Sequence, residues 1–272
     1  MYLKPKDTIT IGISFCVILC LHIVGWRLWG DIVLVIFLPF MLGVIVFIQT
    51  THYRSLRKQF QQQDGHFKQI EALFSLFRMI EPRHPLPPMG GWAIAPDFAN
   101  LLVSHIHEHT PRVILELGSG TSTLIAAYAL QEHGGGKIYS FEHSKEWAAS
   151  TTNMLEKHRL QEMAEVIHAP LKSIEIGEKE WMWYDTQQIE KIPAIDLLIV
   201  DGPPKKVQKM GRYPALPLLF EKLNTNASIL LDDSSRRDEK KIVARWLNDY
   251  SELRYETANT ERGTVILYKT SG

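Results

Sequence analysis

Ten residues at positions 115–124, LELGSGTSTL, combine an acidic side chain, two glycines and several hydroxyl groups. Such a turn can bind a polar ligand, because Gly118 and Gly120 let the main chain approach where a Cβ would collide. Glu116 lies near the end of the predicted strand before the turn, and the hydroxyl residues 121–123 cap the predicted helix after it. The stretch therefore predicts a ligand-binding strand–turn–helix unit.

A second carboxylate, Glu142, ends the next predicted strand. It lies within a few residues of the roughly 20-residue spacing at which an acidic side chain accepts hydrogen bonds from a ribose diol. A dinucleotide fingerprint needs a third glycine where Thr123 stands, which disfavours a nicotinamide cofactor. Alone, a glycine turn can be only a turn and a strand-end glutamate only a solvated side chain; together they favour a nucleoside without a bound phosphate.

Three aspartates follow two apolar strands. Asp201 comes after DLLIV, and Asp232 and Asp233 come after SILL. Neighbouring like charges cost free energy unless they are compensated, and a divalent cation with oxygen ligands is a natural compensator. In the alternative interpretation, Asp232 and Asp233 cap the following helix or pair with Arg236 and Arg237.

Two further segments near these strands carry candidate contact residues. The basic loop at 205–214 could receive an anionic substrate, although such a run is more typical of a solvated surface. The aromatic residues Trp181, Trp183 and Tyr184 either line an acceptor pocket or pack in the core.

The elements that must position these side chains alternate between strands and helices. This pattern predicts an α/β fold, a Rossmann-like seven-stranded sheet with helices on both faces. The predicted strands are residues 112–117, 137–141, 165–168, 196–200, 228–231, 253–257 and 265–269. The last two are separated by a short turn, which predicts an antiparallel pair at the sheet edge.

The charge composition bears on whether the chain binds nucleic acid. Thirty basic residues balance thirty acidic ones, so no net charge draws the chain toward nucleic acid. We therefore predict no nucleic-acid partner.

The first part of the chain differs from the rest. Residues 9–26 and 32–49 are apolar runs of about 18 residues, or about 27 Å as helices, which nearly matches a hydrocarbon core of about 30 Å. We predict a transmembrane hairpin over residues 1–52, with the lipid bilayer as a partner. Basic residues flanking the runs place both chain ends in the cytoplasm, as in a multi-pass protein of the inner cell membrane. A cleaved signal peptide and two helices of a soluble core are the alternatives.

A connecting segment at residues 53–87 follows. From Tyr53 to Phe77 apolar residues recur at alternating steps of three and four, which predicts a stalk helix. This stripe either packs on the chain's own domain or joins a second copy in a homo-oligomer. Prolines between residues 82 and 88 end the helix, and the catalytic domain is predicted at residues 88–272.

Four motifs together, VILELGSGTSTL, YSFEHS, LLIVDGPP and ILLDD, resemble the class I S-adenosylmethionine-dependent methyltransferases over about residues 88–270. The resemblance implies that the glycines border the methionine part of the cofactor, that Glu116 helps to place its amino group, and that Glu142 holds the ribose. The implied S-adenosylmethionine-binding residues are Glu116, Gly118, Ser119, Gly120, Thr121, Ser122, Glu142, His143, Ala169 and Asp201.

The aspartates resemble the metal site of catechol- and macrocin-type O-methyltransferases. By that resemblance Asp201, Asp232 and Asp233 bind Mg²⁺, which positions substrate hydroxyls and lowers their pKa. The catechol type carries a lysine where Pro204 stands, and Lys205 is one position later. The catalytic base is therefore not identified. Lys205 is one candidate, and Asp201 is the other if no metal binds.

These features predict a membrane-anchored methyltransferase that acts on a hydroxyl of a small-molecule, sugar or lipid-linked acceptor. The alternative is a membrane-tethered binding or scaffold protein that keeps the fold without catalysis. Nicotinamide-dependent oxidoreduction is disfavoured by Thr123.

Overall fold

The computed structural model describes residues 17–21, 23–25, 27 and 30–270. The chain separates into two compact units, Met1–Asp64 and Gly65–Gly272. Residues 17–21, 23–25 and 27 are helical, and helix α1 covers Asp31–Met79. The domain boundaries predicted after residues 52 and 87 stay predictions.

The predicted multi-pass location in the inner cell membrane is wrong. Within the described ranges, no helix combines the length and the apolar character that crossing a bilayer requires. The run at residues 9–26 lies largely outside these ranges, and the run at 32–49 is the first part of α1, which continues without a break into a polar stretch. A run of about 18 residues is only about 27 Å long, at the lower limit for a core of about 30 Å. The predicted hairpin and bilayer partner are accordingly not supported.

The later part of α1 carries the apolar stripe predicted for the stalk. Its aromatic side chains do not pack on the chain's own domain, since Phe67 and Phe74 are 67% and 74% exposed. Another face of the same helix supplies buried residues, among them Ala72 and Leu76. The interpretation that the stripe packs on its own domain is therefore wrong for Phe67 and Phe74, and self-association through the stripe stays a prediction.

The second unit is built on a mixed sheet with one separate hairpin. Its strands are β1 (Val113–Leu117), β2 (Lys137–Glu142), β3 (Ala164–His168), β4 (Leu171–Ile176), β5 (Lys179–Tyr184), β6 (Ile195–Val200), β7 (Leu223–Leu231), β8 (Leu253–Ala258) and β9 (Thr264–Lys269). The seven-stranded sheet has the order β3-β2-β1-β6-β7-β9-β8. The first five of these strands are parallel, whereas β9 is antiparallel to both β7 and β8. The Rossmann-like fold and the antiparallel edge pair are confirmed.

Helices cover both faces of the sheet. They are α2 (Pro96–His109), α3 (Thr121–His133), α4 (Lys145–His158), α5 (Ala215–Leu219) and α6 (Arg237–Asp249). Alternate residues of the central strands enter different cores: Leu197 and Ile199 of β6 pack in the cluster that includes α2 and α3, whereas Leu198 and Val200 pack in the cluster that includes α6. Strands buried on both faces explain why DLLIV has no polar alternation.

The antiparallel hairpin β4–β5 was not predicted from the sequence. It is inserted between β3 and β6, and its strands are rich in charged residues that hide an alternating pattern. The aromatic residues Trp181, Trp183 and Tyr184 on β5 are fully buried. The rings of these three side chains therefore pack in the core, as the second interpretation of the sequence predicted.

Candidate active site

The candidate site lies at the carboxyl edge of the parallel strands. Strands β1, β2, β6 and β7 run in the same direction, so the residues that follow them meet at one edge. In the sheet, β1 lies between β2 and β6. The strand order runs from β1 to β2 and β3 in one direction and from β6 onward in the other, so the switch point lies between β1 and β6. Ligands of open α/β sheets bind in the crevice at this point.

The glycine turn after β1 depends on glycine for two different reasons. Gly118 has φ +103°, a region that side chains other than glycine rarely adopt, and a Cβ there would lie 3.4 Å from the main-chain N of Gly202. Gly120 is different, because a Cβ added there would meet nothing within 4 Å. The main chain at Gly120 is therefore open to a ligand.

Glu116 is buried beneath this turn. Its Oε2 accepts hydrogen bonds from Thr123 Oγ1, at 2.6 Å, and from the hydroxyl of Ser140 on β2. Thr123 Oγ1 also accepts a hydrogen bond from the main-chain N of Gly120, at 3.0 Å, so the carboxyl group supports the turn. In the described part of the chain, Oε1 of Glu116 has no hydrogen-bond partner. Burial raises the pKa of Glu116 to about 7.

Glu116→Gln is expected to reduce the pH dependence of stability. Because folding raises the pKa of Glu116 from 4.5 to about 7, its stabilising contribution is complete below pH 4.5 and is lost as the pH rises through 7. The full difference is up to about 3 kcal/mol. Urea unfolding between about pH 5 and pH 8 should therefore show a smaller loss in Glu116→Gln than in the wild type. The exposed Glu165→Gln serves as a control, and equal losses in all three proteins would contradict the assignment.

Glu142 ends β2 and faces the turn. Its Oε2 accepts a hydrogen bond from the main-chain N of Ser119 at 3.1 Å, and its Oε1 accepts one from the main-chain N of Ser144 at 2.9 Å. His143 Nδ1 lies 2.8 Å from Oε1. The main-chain O of Glu142 accepts a hydrogen bond from the buried Ala169. The structure thus brings together the carboxylate, the turn and the loop after β3, which the sequence predicted to share one site.

The three aspartates also come together. Oxygen atoms of Asp201, Asp232 and Asp233 all lie within 4.8 Å of one another. Asp232 is 1% exposed, and neither of its carboxylate oxygens has a hydrogen-bond partner among the described residues. Burial, followed by the charges of Asp201 and Asp233, raises the pKa of Asp232 to about 7.

Arg212 compensates part of this negative charge. Its side chain is buried and donates hydrogen bonds to Asp201 Oδ1 at 2.9 Å, to Asp233 Oδ2 at 3.0 Å and to the main-chain O of Asp232 at 2.9 Å. Asp233 also pairs with the partly exposed Arg236, as the alternative interpretation of the sequence predicted. The prediction of a solvated surface for the loop at 205–214 is therefore wrong at Arg212, because the strand-end carboxylates bind its guanidinium.

Lys205, one of the two predicted catalytic residues, lies in an exposed turn after β6. Asp201, the other, directly follows β6 and its side chain is 20% exposed. Thus Asp201 joins the cluster of aspartates, whereas the structure leaves Lys205 on the surface.

Residues 115–234 match a family model described as a methyltransferase domain. The prediction of a methyltransferase is confirmed. The matched segment begins in β1 and ends after Asp233, so it contains the glycine turn, Glu142 and the aspartates. No curated protein sequence matches the chain.

Solved structures show that the methyltransferase domain has relatives in fold. An O-methyltransferase from Bacillus cereus in complex with SAH is 17% identical, with a TM-score of 0.50, over 75% of this chain and 90% of that one. The SAH-bound methyltransferase PaMTH1 from Podospora anserina is 15% identical, with a TM-score of 0.52, over 74% of this chain and 88% of that one. At such identities the similarity establishes the fold.

Sequence reasoning missed two residues of the candidate site, Arg212 and Ser140. Arg212 was hidden in a basic loop, although its position beside Tyr213 and the apolar run ALPLL was a signal that it is buried. Ser140, a polar residue inside the apolar strand β2, was a similar signal for a buried partner. Tyr184 was named as a candidate for an acceptor pocket or the core, but its position beside Gly202 was not predicted, because the hairpin that places it was not predicted.

Proposed function

We propose that this methyltransferase transfers a methyl group from S-adenosylmethionine to a hydroxyl oxygen of a small-molecule acceptor. The observation that carries the proposal is the arrangement of Glu142, which is fixed against the main-chain N of Ser119 beside the open main chain of Gly120. A carboxylate and an accessible main chain at a switch point suit a nucleoside with an amino-acid tail. The two relatives of similar fold were solved with SAH.

The residues of the crevice fit S-adenosylmethionine. Glu116 Oε1 is a buried acceptor without a partner among the described residues, as required for binding a donor group such as the ammonium of the methionine part. When bound, the cofactor supplies the methyl group that is transferred. The proposed binding residues are Glu116, Gly118, Ser119, Gly120, Thr121, Ser122, Glu142, His143, Ala169 and Asp201.

A divalent cation, Mg²⁺, also fits the aspartates. The two oxygens of Asp232 are buried without partners in the described chain, and Asp201 and Asp233 each have an oxygen that does not bind Arg212. Oxygen ligands of this kind are those that Mg²⁺ prefers. When bound, the ion lowers the pKa of an acceptor hydroxyl. We propose that Asp232, Asp233 and Asp201 hold it.

The side chains then contribute mainly by orientation. Alignment of the acceptor oxygen, the methyl carbon and the sulfur supplies much of the rate in such a transfer. Arg212 fixes the direction of Asp201 and Asp233 through its hydrogen bonds. If no cation is bound, we assign the acceptor's proton to Asp201 rather than Lys205, because Asp201 is in the cluster and its partly exposed side chain can pass the proton to water.

Binding of the cofactor tests the first half of the proposal. Wild-type protein should bind S-adenosylhomocysteine in a calorimetric titration, and Glu142→Gln should weaken that binding roughly 10- to 100-fold, because it replaces a charged acceptor of hydrogen bonds. Glu165→Gln, on the exposed side of β3, serves as the matched control and should bind normally. Equal affinities of wild type and Glu142→Gln for S-adenosylhomocysteine would show that Glu142 does not bind the cofactor.

Transfer of a labelled methyl group tests the second half. The wild type is incubated with methyl-labelled S-adenosylmethionine and a panel of catechols, simple phenols and sugars, together with amine and thiol analogues. Label should enter only the hydroxylated compounds. Label in the amines or thiols alone would overturn the assignment of oxygen as the acceptor atom.

A further inference from the structure

Tyr184 ends β5 at the base of the β4–β5 hairpin. The main-chain N of Asp185 donates a hydrogen bond to the main-chain O of Pro170 at 3.0 Å, which closes this base directly after Ala169. The Tyr184 side chain is fully buried, and its ring meets that of His143 edge to face, with centroids 6.4 Å apart. The hairpin thus places an aromatic hydroxyl inside the carboxyl edge of the sheet.

The hydroxyl lies against Gly202, since a Cβ added to Gly202 would collide with it. Gly202 directly follows Asp201, and a Cβ on Gly118 would lie 3.4 Å from its main-chain N. The Tyr184 hydroxyl is therefore at the junction of β1 and β6, where the sheet has its switch point. The charged groups that act on this hydroxyl are Glu142, Arg212, Asp201 and Glu116.

This hydroxyl has no hydrogen-bond partner among the described residues. A buried polar group without a partner costs free energy and calls for an explanation such as a missing ligand. Arg212, the buried cation beside the aspartates, already donates to oxygens of Asp201, Asp232 and Asp233. Burial raises the pKa of Tyr184 well above its ordinary value, so its O–H stays protonated and available as a donor.

The proposed cofactor contains a group that requires such a donor. S-adenosylmethionine carries a carboxylate beside its ammonium group, and Glu116 and Asp201 suit the cationic groups but repel this anion. We propose that Tyr184 donates a hydrogen bond to the carboxylate of the methionine part of the bound cofactor. This inference rests on the proposed function, and it makes Tyr184 a residue that selects for the amino-acid tail of the nucleoside.

Two ligands and the variant Tyr184→Phe test the inference by calorimetry. S-adenosylhomocysteine carries the carboxylate, whereas 5′-methylthioadenosine lacks the whole amino-acid end. Tyr184→Phe should bind S-adenosylhomocysteine roughly tenfold more weakly than the wild type and bind 5′-methylthioadenosine equally well. The ligand-free variant should melt at the same or a higher temperature than the wild type, because it no longer buries an unpartnered hydroxyl.

Tyr128→Phe is the matched control. The Tyr128 hydroxyl accepts a hydrogen bond from the main-chain N of Arg83 at 2.8 Å and lies 2.7 Å from His158 Nδ1. Loss of these hydrogen bonds should lower the melting temperature and leave both ligand affinities unchanged. The two variants therefore differ in the sign of the stability effect and in ligand binding.

Each outcome has one interpretation. Unchanged binding of S-adenosylhomocysteine, or equal weakening of both ligands, overturns the contact with the carboxylate. If the wild type binds neither nucleoside, the proposed function itself fails. Should Tyr184→Phe not fold, the same comparison is made with Gly202→Ala, whose Cβ displaces the hydroxyl; selective weakening of S-adenosylhomocysteine supports the inference, and any other result opposes it.

Discussion

Arg212→Met is expected to lower the free energy of unfolding by about 3–5 kcal/mol, because removal of one partner from a buried ion pair leaves the other charge uncompensated. Arg212 is 5% exposed and binds Asp201, Asp233 and the main chain of Asp232. The substitution keeps an unbranched side chain and removes the guanidinium. Urea unfolding followed by tryptophan fluorescence measures the loss.

Arg236→Met is the control for this prediction. Arg236 also pairs with Asp233, but its side chain is 40% exposed, so solvent screens the pair. Its loss should cost less than about 1 kcal/mol. Similar losses in the two variants would show that Arg212 is not the main compensating charge of the aspartates.

The Arg212 variant also bears on the proposed cation. If Mg²⁺ binds the same aspartates, it should raise the melting temperature of Arg212→Met by more than that of the wild type, since a ligand of the folded state stabilises it by mass action. An equal rise in the melting temperature of both proteins on addition of Mg²⁺ would show that the cation does not bind these carboxylates.

Asp232→Asn is expected to lower the rate of methyl transfer by about 100-fold or more, because loss of a metal ligand removes much of the cation's effect on the acceptor hydroxyl. The fold should survive: both carboxylate oxygens are buried without partners in the described chain, so an amide of the same shape removes a costly charge. Rates of methyl transfer and urea unfolding are measured on the same preparations.

Three comparisons complete the Asp232 experiment. Asp238→Asn, the same substitution on α6, should keep the wild-type rate. EDTA should abolish wild-type activity and excess Mg²⁺ should restore it, whereas Mg²⁺ should not restore Asp232→Asn. Full wild-type activity in EDTA would show that methyl transfer does not need the cation.

The strands and the residues at their ends could be predicted because both depend on local patterns. Short apolar runs between turn signals, such as DLLIV, favour strands that are buried on both faces, and parallel strands place the residues that follow them at one edge. Asp201, Asp232 and Glu142 were therefore found from the sequence. The two predicted membrane spans rested on the same kind of local pattern. They are not supported in the described part of the chain, because an apolar run at the lower length limit does not by itself establish a crossing.

The sequence alone determined the α/β fold, the glycine turn and the acidic strand ends, since each depends on residues close together in the chain. Only the tertiary structure decided which groups bind those acidic side chains and compensate their negative charge. Arg212 reaches Asp233 across 21 residues, Ser140 reaches Glu116 across 24, and Tyr184 reaches Gly202 from an inserted hairpin. Which polar groups are buried beside which charges depends on how distant segments pack, and no short-range periodicity records that packing.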